Sequence, residues 1–365
     1  MTVHFVYSVP RTGFAARIGK RVAQLTQKYR VDSQWISKRT DLDTSDWPHY
    51  SPVSITRNVY ETLRSNFHTL LYDYQERLVI RGGERHILIG HPNPEDQASV
   101  WNQSCERGEF AARIAMFPIH HGLADINAPV DRYVPDVDAI WGIMGPYWYD
   151  TWDESAFAHW KPKITRLDMA IDVRQFPRVK KRFNPPGRRK FLYIGNSLPC
   201  KGVHLLSILF GLAKRHRCVW LGGRAEEFPN LEKRTGFYSL DADFVTRLAA
   251  EVDFFITMGV SDANPTTILE AMSWGFPVCC TPQSGYYNMR EIEQLSTTDM
   301  QHNIAVLDRL QQSPEEELVD RADAARRLVE TSYTWERFNN TVLTELAAIG
   351  ARKGFSLGFV CDKGV

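Results

Sequence analysis

The chain has 365 residues, 43% of them hydrophobic and 24% charged, with a formal net charge of +1. That make-up is that of a soluble globular protein long enough for two domains, and its near-zero charge gives no global attraction to nucleic acid. No apolar run is long enough to span a bilayer, and the opening residues MTVHFVYSVP lack the apolar core of a signal peptide, so a cytoplasmic protein is expected.

Six cysteines (Cys105, Cys200, Cys218, Cys279, Cys280 and Cys361) show no metal or redox spacing and read as reduced thiols. Val3 to Tyr7 reads as a central strand, followed by a turn holding Gly13 and a helix from Ala15 to Tyr29. Strand, glycine turn, helix is the opening of a doubly wound α/β domain, where Gly13 either admits a ligand to the backbone or simply turns the chain. Arg17, Lys20, Arg21, Lys28 and Arg30 make that helix basic. It is a solvated face or a peripheral contact with the inner membrane surface. Ser33 to Ile36 reads as a strand and Ile55 to Ile80 as a long aromatic-rich helix.

Strands follow at 87–89, 113–117, 139–144 and 163–167, with a helix at 151–160 between the last two. The strand at 113–117 runs into Pro118-Ile119-His120-His121-Gly122. Adjacent histidines on an extended chain point apart, so His120 and His121 alone do not make a metal site. Their place, at the end of a strand in an α/β domain, is where ligands bind. Aromatic residues 147–149 suit either sugar stacking or packing. Residues 178–190, RVKKRFNPPGRRK, read as the interdomain linker about which the cleft would close.

The second half opens with a strand at 191–194 and the loop Gly195-Asn196-Ser197-Leu198-Pro199-Cys200-Lys201-Gly202 before a helix. Two glycines and one lysine suggest a phosphate cradle without Walker spacing. Strands at 218–221 and 236–238 follow, the first with Arg224 just beyond it, the second holding Phe237 and Tyr238. Asp241 reads as the N-cap of a helix over 244–251 and not as part of a metal motif. Next comes DFFITMGVSDANPTTILEAMSWGFPVCCTPQSG, residues 253–285: strand, loop, helix, strand. Asn264 suits the N-cap of that helix, Pro265 its first position and Gly275 its C-terminal cap. Thr266 and Thr267 fall in the first turn, where free backbone N–H groups attract phosphate. Asp262 precedes the helix, and Glu270 lies inside it among apolar neighbours. Residues 292–328 read as mostly helical with a break before Pro314, and a last helix runs from Thr334 to Ile349.

Asp262, seven residues, Glu270, then Ala271-Met272-Ser273-Trp274-Gly275-Phe276-Pro277-Val278 resembles the acidic motif of retaining, nucleotide-sugar-dependent glycosyltransferases of family 4, which have the GT-B fold. Lys201-Gly202 matches a second family position, although Asn196 replaces the usual arginine, Asp262 a glutamate, and Ala263 and Asn264 a glycine and an aromatic. Asp172 and Phe176 match the hinge pattern.

The resemblance implies two Rossmann-like doubly wound domains facing a central cleft, with the C-terminal helix crossing back. The domains would be 1–177 and 191–333, joined by 178–190, with helix 334–349 on the first and a tail at 350–365. It implies transfer of a sugar from a UDP- or GDP-sugar donor to a hydroxyl acceptor (a saccharide, a glycolipid or a small molecule), with retention and no required metal or other cofactor. Glu270 would hold the ribose, Asp262 the sugar, Lys201 and the amides near Asn264, Thr266 and Thr267 the diphosphate. His120 or His121 would shape the acceptor side, and Gly13, Asn196, Arg224, Phe237 and Tyr238 would border the nucleotide. Two other readings stay open: a nucleotide-binding partner subunit without transfer, and an epimerase or phosphorylase of the same fold. Acceptor, base and oligomeric state are not legible in the sequence.

Overall fold

The computed structural model describes residues 1–9, 42–45, 47, 51–74, 76–80, 85–93, 99–105, 110–122, 124–222, 228–234 and 240–355. The first unit holds six parallel strands: β1 (Thr2–Val6), β2 (His68–Tyr72), β3 (His86–Gly90), β4 (Phe110–Pro118), β5 (Ala139–Ile143) and β6 (Ile164–Leu167). They lie in the order β2-β1-β3-β4-β5-β6. Among the described residues its helices are α1 (Val53–Asn66), α2 (Val100–Cys105), α3 (Ala124–Asp131) and α4 (Pro146–Asp150).

The second unit holds β7 (Phe191–Ile194), β8 (Cys218–Leu221), β9 (Glu232–Arg234), β10 (Phe254–Thr257), β11 (Val278–Cys280) and β12 (Ile292–Gln294), all parallel, in the order β12-β11-β10-β7-β8-β9. Its helices are α5 (Val203–Leu212), α6 (Ala242–Glu251), α7 (Thr266–Trp274), α8 (Met300–Gln312) and α9 (Glu315–Ser332). Parallel strands covered on both faces must be apolar throughout, and β1, β3, β5, β8, β10 and β11 are buried at every residue.

Helix α10 (Trp335–Arg352) leaves the second unit and packs on α1 and β6 of the first. The Thr334 hydroxyl caps it by accepting from Arg337 N, and Thr165 and Asp138 of the first unit hold its far end through Glu345 and Lys353. The crossing helix expected at 334–349 is therefore present.

Four readings of local structure are corrected. The helix expected over 55–80 stops at Asn66, and HTLLY becomes β2, since a short run buried at four of five positions carries no period to separate strand from helix. Residues 151–160 form two 3-10 turns in place of a helix. Ser155 Oγ donates to Trp152 O and accepts from Phe157 N, competing with the helical ladder. Ile292–Gln294 is an edge strand inside a region read as helical. Pro265, not Asn264, holds the N-cap of α7, so the helix starts one residue late. The helix at 15–29 and the strands at 33–36 and 236–238 fall outside the described residues.

The basic segment 178–190 is no loose connector. Lys180, 2% exposed, donates to Asp253 and to Ala249 O, each at 2.8 Å, and Asp253, wholly buried, also accepts from the amides of Asn184 and Lys190. Buried Arg189 donates to the carbonyls of Leu310, Gln311 and Ser313, completing the open end of α8. The segment expected to be the linker is thus bonded into the second unit.

A buried cation stripped of its partner costs far more than the pair itself contributes. Asp253→Ala should lower unfolding stability by about 3–5 kcal/mol in denaturant titration. Lys180→Met combined with Asp253→Leu should recover most of that loss, and equal loss in both variants would show that the pair is not what holds the segment.

Candidate functional site

A parallel sheet opens a crevice where neighbouring strands send their connections to opposite sides, and in the second sheet that point lies between β7 and β10. The loops after these strands meet there. The amides of Val260 and Ser261 both donate to Cys200 O, at 2.9 and 3.3 Å. Gly202 has φ +65°, and a Cβ there would come within 1.8 Å of Met258 O, so this contact needs glycine. Tyr193 Oη donates to Asn196 O at 2.8 Å.

Between these loops and the first unit lies a cavity of about 380 Å³. Its floor carries Gly195, Asn196, Lys201 and the run from Asp262 to Thr267. Its roof, among the described residues, is Ile55, Pro118, Ile143 and Met169 of the first unit, with the polar Ser51. Six residues expected to bind the donor (Asn196, Lys201, Asp262, Asn264, Thr266 and Thr267) thus border one space. Lys201 Nζ donates to Asp262 Oδ2 at 2.5 Å, both side chains partly exposed. Asn196 Oδ1 accepts from Leu198 N at 3.1 Å, so this oxygen shapes the loop. The first turn of α7 has no side-chain cap; Ile268 N donates to Pro265 O at 3.4 Å, and Thr266 and Thr267 line the cavity at this helix end.

Glu270 does not line this cavity. One turn further along α7, it sits in a narrow crevice with Ser54, Arg57, Asp172, Gln175 and Trp335, and Thr266 borders both spaces. Burial raises its carboxyl pKa to about 7, partly opposed by a hydrogen bond from Thr266.

The two histidines part company. His120 is buried, with Nδ1 3.4 Å from Ser261 Oγ, one residue from Asp262, and its ring centroid 4.8 Å from that of Trp148. Burial lowers its pKa to about 4, helped by the charges of His121 and Lys201. His121 turns away: its Nε2 lies 2.8 Å from the Thr151 hydroxyl, and its ring meets Trp148 and Trp152 edge-on. Burial lowers its pKa as well. Neither ring lines the main cavity.

Contacts across the cleft come from the start of α4. Gly145 N donates to Ala263 O at 2.9 Å, Tyr147 N to Gly285 O at 3.2 Å, and Trp148 Nε1 to Asp262 O at 2.7 Å. A Cβ on Gly145 would fall within 2.2 Å of Gly285 O. Trp148 and Ser261 have site roles that were not read from the sequence; Trp148 lay within the aromatic loop singled out there. Gly13, Arg224, Phe237 and Tyr238 lie outside the described residues. Among the described residues no group of three or more metal-ligating side chains converges.

No protein-family model matches the chain, and no curated protein matches it by sequence. Solved structures do match in shape. A sucrose-phosphate synthase from Thermosynechococcus elongatus aligns with TM-score 0.59 at 11% identity, over 96% of this chain and 99% of that one. A glycosyltransferase from Rickettsia africae aligns at 0.54 and 11%, over 95% and 98%. TarM aligns at 0.54 and 10%, over 72% of this chain but only 54% of its own, so this chain spans about half of TarM's length. At such identities the likeness is one of fold: two Rossmann-like domains facing a cleft, the GT-B architecture.

Proposed function

We propose that the chain is a glycosyltransferase that moves a sugar from a nucleoside diphosphate-sugar to a hydroxyl acceptor, with retention and without a required metal. The observation that carries this reading is the meeting of Lys201, the open N-terminus of α7 and Asp262 around one interdomain cavity. A diphosphate leaving group needs positive charge where its own charge develops. An ammonium and free backbone N–H groups provide it without reorganisation. The diphosphate takes Lys201 and thereby releases Asp262, whose carboxylate then meets the sugar. Glu270 accepts hydrogen bonds from the ribose hydroxyls, and the His120 side receives the acceptor. The names of two structures with this fold, a glycosyltransferase and a sucrose-phosphate synthase, support the class of reaction. The Lys201–Asp262 pair also favours a second reading, a nucleotide-binding subunit without transfer, since it occupies the carboxylate proposed to meet the sugar.

Thermal unfolding against UDP, GDP, ADP, TDP and their glucose conjugates tests the donor site. A nucleotide at about 100 times its dissociation constant adds about 2.7 kcal/mol and moves the midpoint by several degrees. One base should stand out, and Lys201→Ala should abolish its shift. No shift with any of the eight would remove the donor assignment. Release of free glucose from the preferred conjugate then separates the transferase from the silent subunit.

The pH dependence follows from Glu270. Its carboxyl, raised to about 7, is half protonated at neutrality, and the ionised form accepts a charge-assisted bond on each oxygen, whereas protonation removes the charge and turns one oxygen into a donor. Affinity for the nucleotide sugar, whose diphosphate diester loses no proton in this range, should rise with pH from about 6 to about 8. In Glu270→Gln, calorimetric titration should give a flat profile, and a matching rise in that variant would take Glu270 out of the ribose site.

A further inference from the structure

Among the described residues the large apolar side chains left exposed are Leu198 (48%), Ile208 (49%) and Leu212 (57%), all within one stretch of the second unit. His204, Ile208 and Leu212 are spaced one turn apart on α5 and all are exposed, so they form a single stripe. The opposite side of α5, with Val203, Leu206, Leu209 and Phe210, fills the core. A helix that is apolar toward solvent as well as toward the core marks a surface with something to meet.

The end of this stripe is cationic. Lys214, Arg215 and Arg217 are exposed just beyond Leu212. Arg215 is held by Asp308 of α8, which also takes the buried His216 ring at 2.7 Å, so that acid is already neutralised. Among the described residues neither Lys214 nor Arg217 has an ion-pair partner. Phe191 N donates to Arg217 O at 2.9 Å, which brings the chain carrying exposed Arg188 alongside. Gln301, Ala305 and Gln312, exposed on α8, add no charge. At the acidic start of α9, Glu315 accepts from Phe183 N of the linker and Glu317 faces Arg321, while Glu316 is exposed. At the other end of the stripe, Leu198 belongs to the loop that carries Lys201 into the cleft. No helix among the described residues is long and apolar enough to cross a membrane.

We propose that this face of the second unit docks on an anionic lipid bilayer. Ile208, Leu212 and Leu198 enter the boundary between headgroups and acyl chains, and Lys214, Arg217 and Arg188 meet lipid phosphates. The charge complement selects a lipid surface over a purely apolar partner, and the stripe brings the mouth of the cleft to the bilayer. This assignment is independent of the donor site and of the basic segment near the N-terminus.

The test is co-sedimentation of the full chain with vesicles of phosphatidylcholine alone and of phosphatidylcholine mixed with phosphatidylglycerol. The wild type should bind the anionic vesicles and not the neutral ones, more weakly as salt rises. Ile208→Ser with Leu212→Ser should weaken binding at least about tenfold, and so should Lys214→Gln with Arg217→Gln. All four positions are exposed, so unchanged thermal midpoints should accompany the loss. Failure of the wild type to bind anionic vesicles would overturn the proposal. So would wild-type binding in both variants, which would put the contact elsewhere, or a wild-type dimer that only the serine variant separates while vesicle binding persists.

Discussion

The site depends on backbone groups that the sheet cannot use. Where β7 and β10 end, their chains leave in different directions, and the carbonyls and amides just beyond lose their ladder partners. They find each other instead: Cys200 O takes two amides from the 260–261 turn, and Gly202 lies against Met258 O with no room for a side chain. An unpaired buried peptide group is costly, so this junction leaves the two loops one arrangement. In that arrangement Lys201 and Asp262 are neighbours although 61 residues apart. The position of the start of α7, four residues further on, follows from the same junction.

Much of this was legible because it is local. The glycines, the lysine and the helix punctuation around 195–202 and 258–275 are signals over a few residues, and the central strands announce themselves as apolar runs bounded by turns. The missed elements failed for an equally local reason. HTLLY is as apolar as a helix face, and Ile292–Gln294 is a three-residue edge strand of mixed polarity. The partners that distant parts of the chain bring to a side chain were illegible, even where the side chain itself stood out. Trp148 reaches Asp262 across 114 positions, and Glu270 gains its perturbed carboxyl from a crevice closed by α1 and α10, neither of which is near it in sequence. Asn196 was read as a ligand position, while its side-chain oxygen stabilises the loop that carries it.

The histidine pair shows how much one peptide bond decides. Both residues follow the same strand, yet at the turn that begins there one ring lies beside Ser261 and Trp148 and the other points to Thr151 and Trp152. Burial keeps the imidazole of His120 neutral at ordinary pH. A neutral ring beside Ser261 adds no positive charge to that of Lys201, the cation that these two loops bring to the cavity among the described residues.

The anchoring of residues 180–190 in the second unit relocates the freedom between the units. What joins them outside that anchor is a pair of chain segments, 168–177 on the way out and 333–334 on the way back, tied where Ile171 N donates to Tyr333 O at 3.1 Å. One strand of chain is a universal joint and allows rotation about any axis. Two strands laced side by side resemble a door hinge, with twist and slide resisted and one swing left soft. A swing about that hinge alone would carry Trp148 off the Asp262 carbonyl and back along one arc.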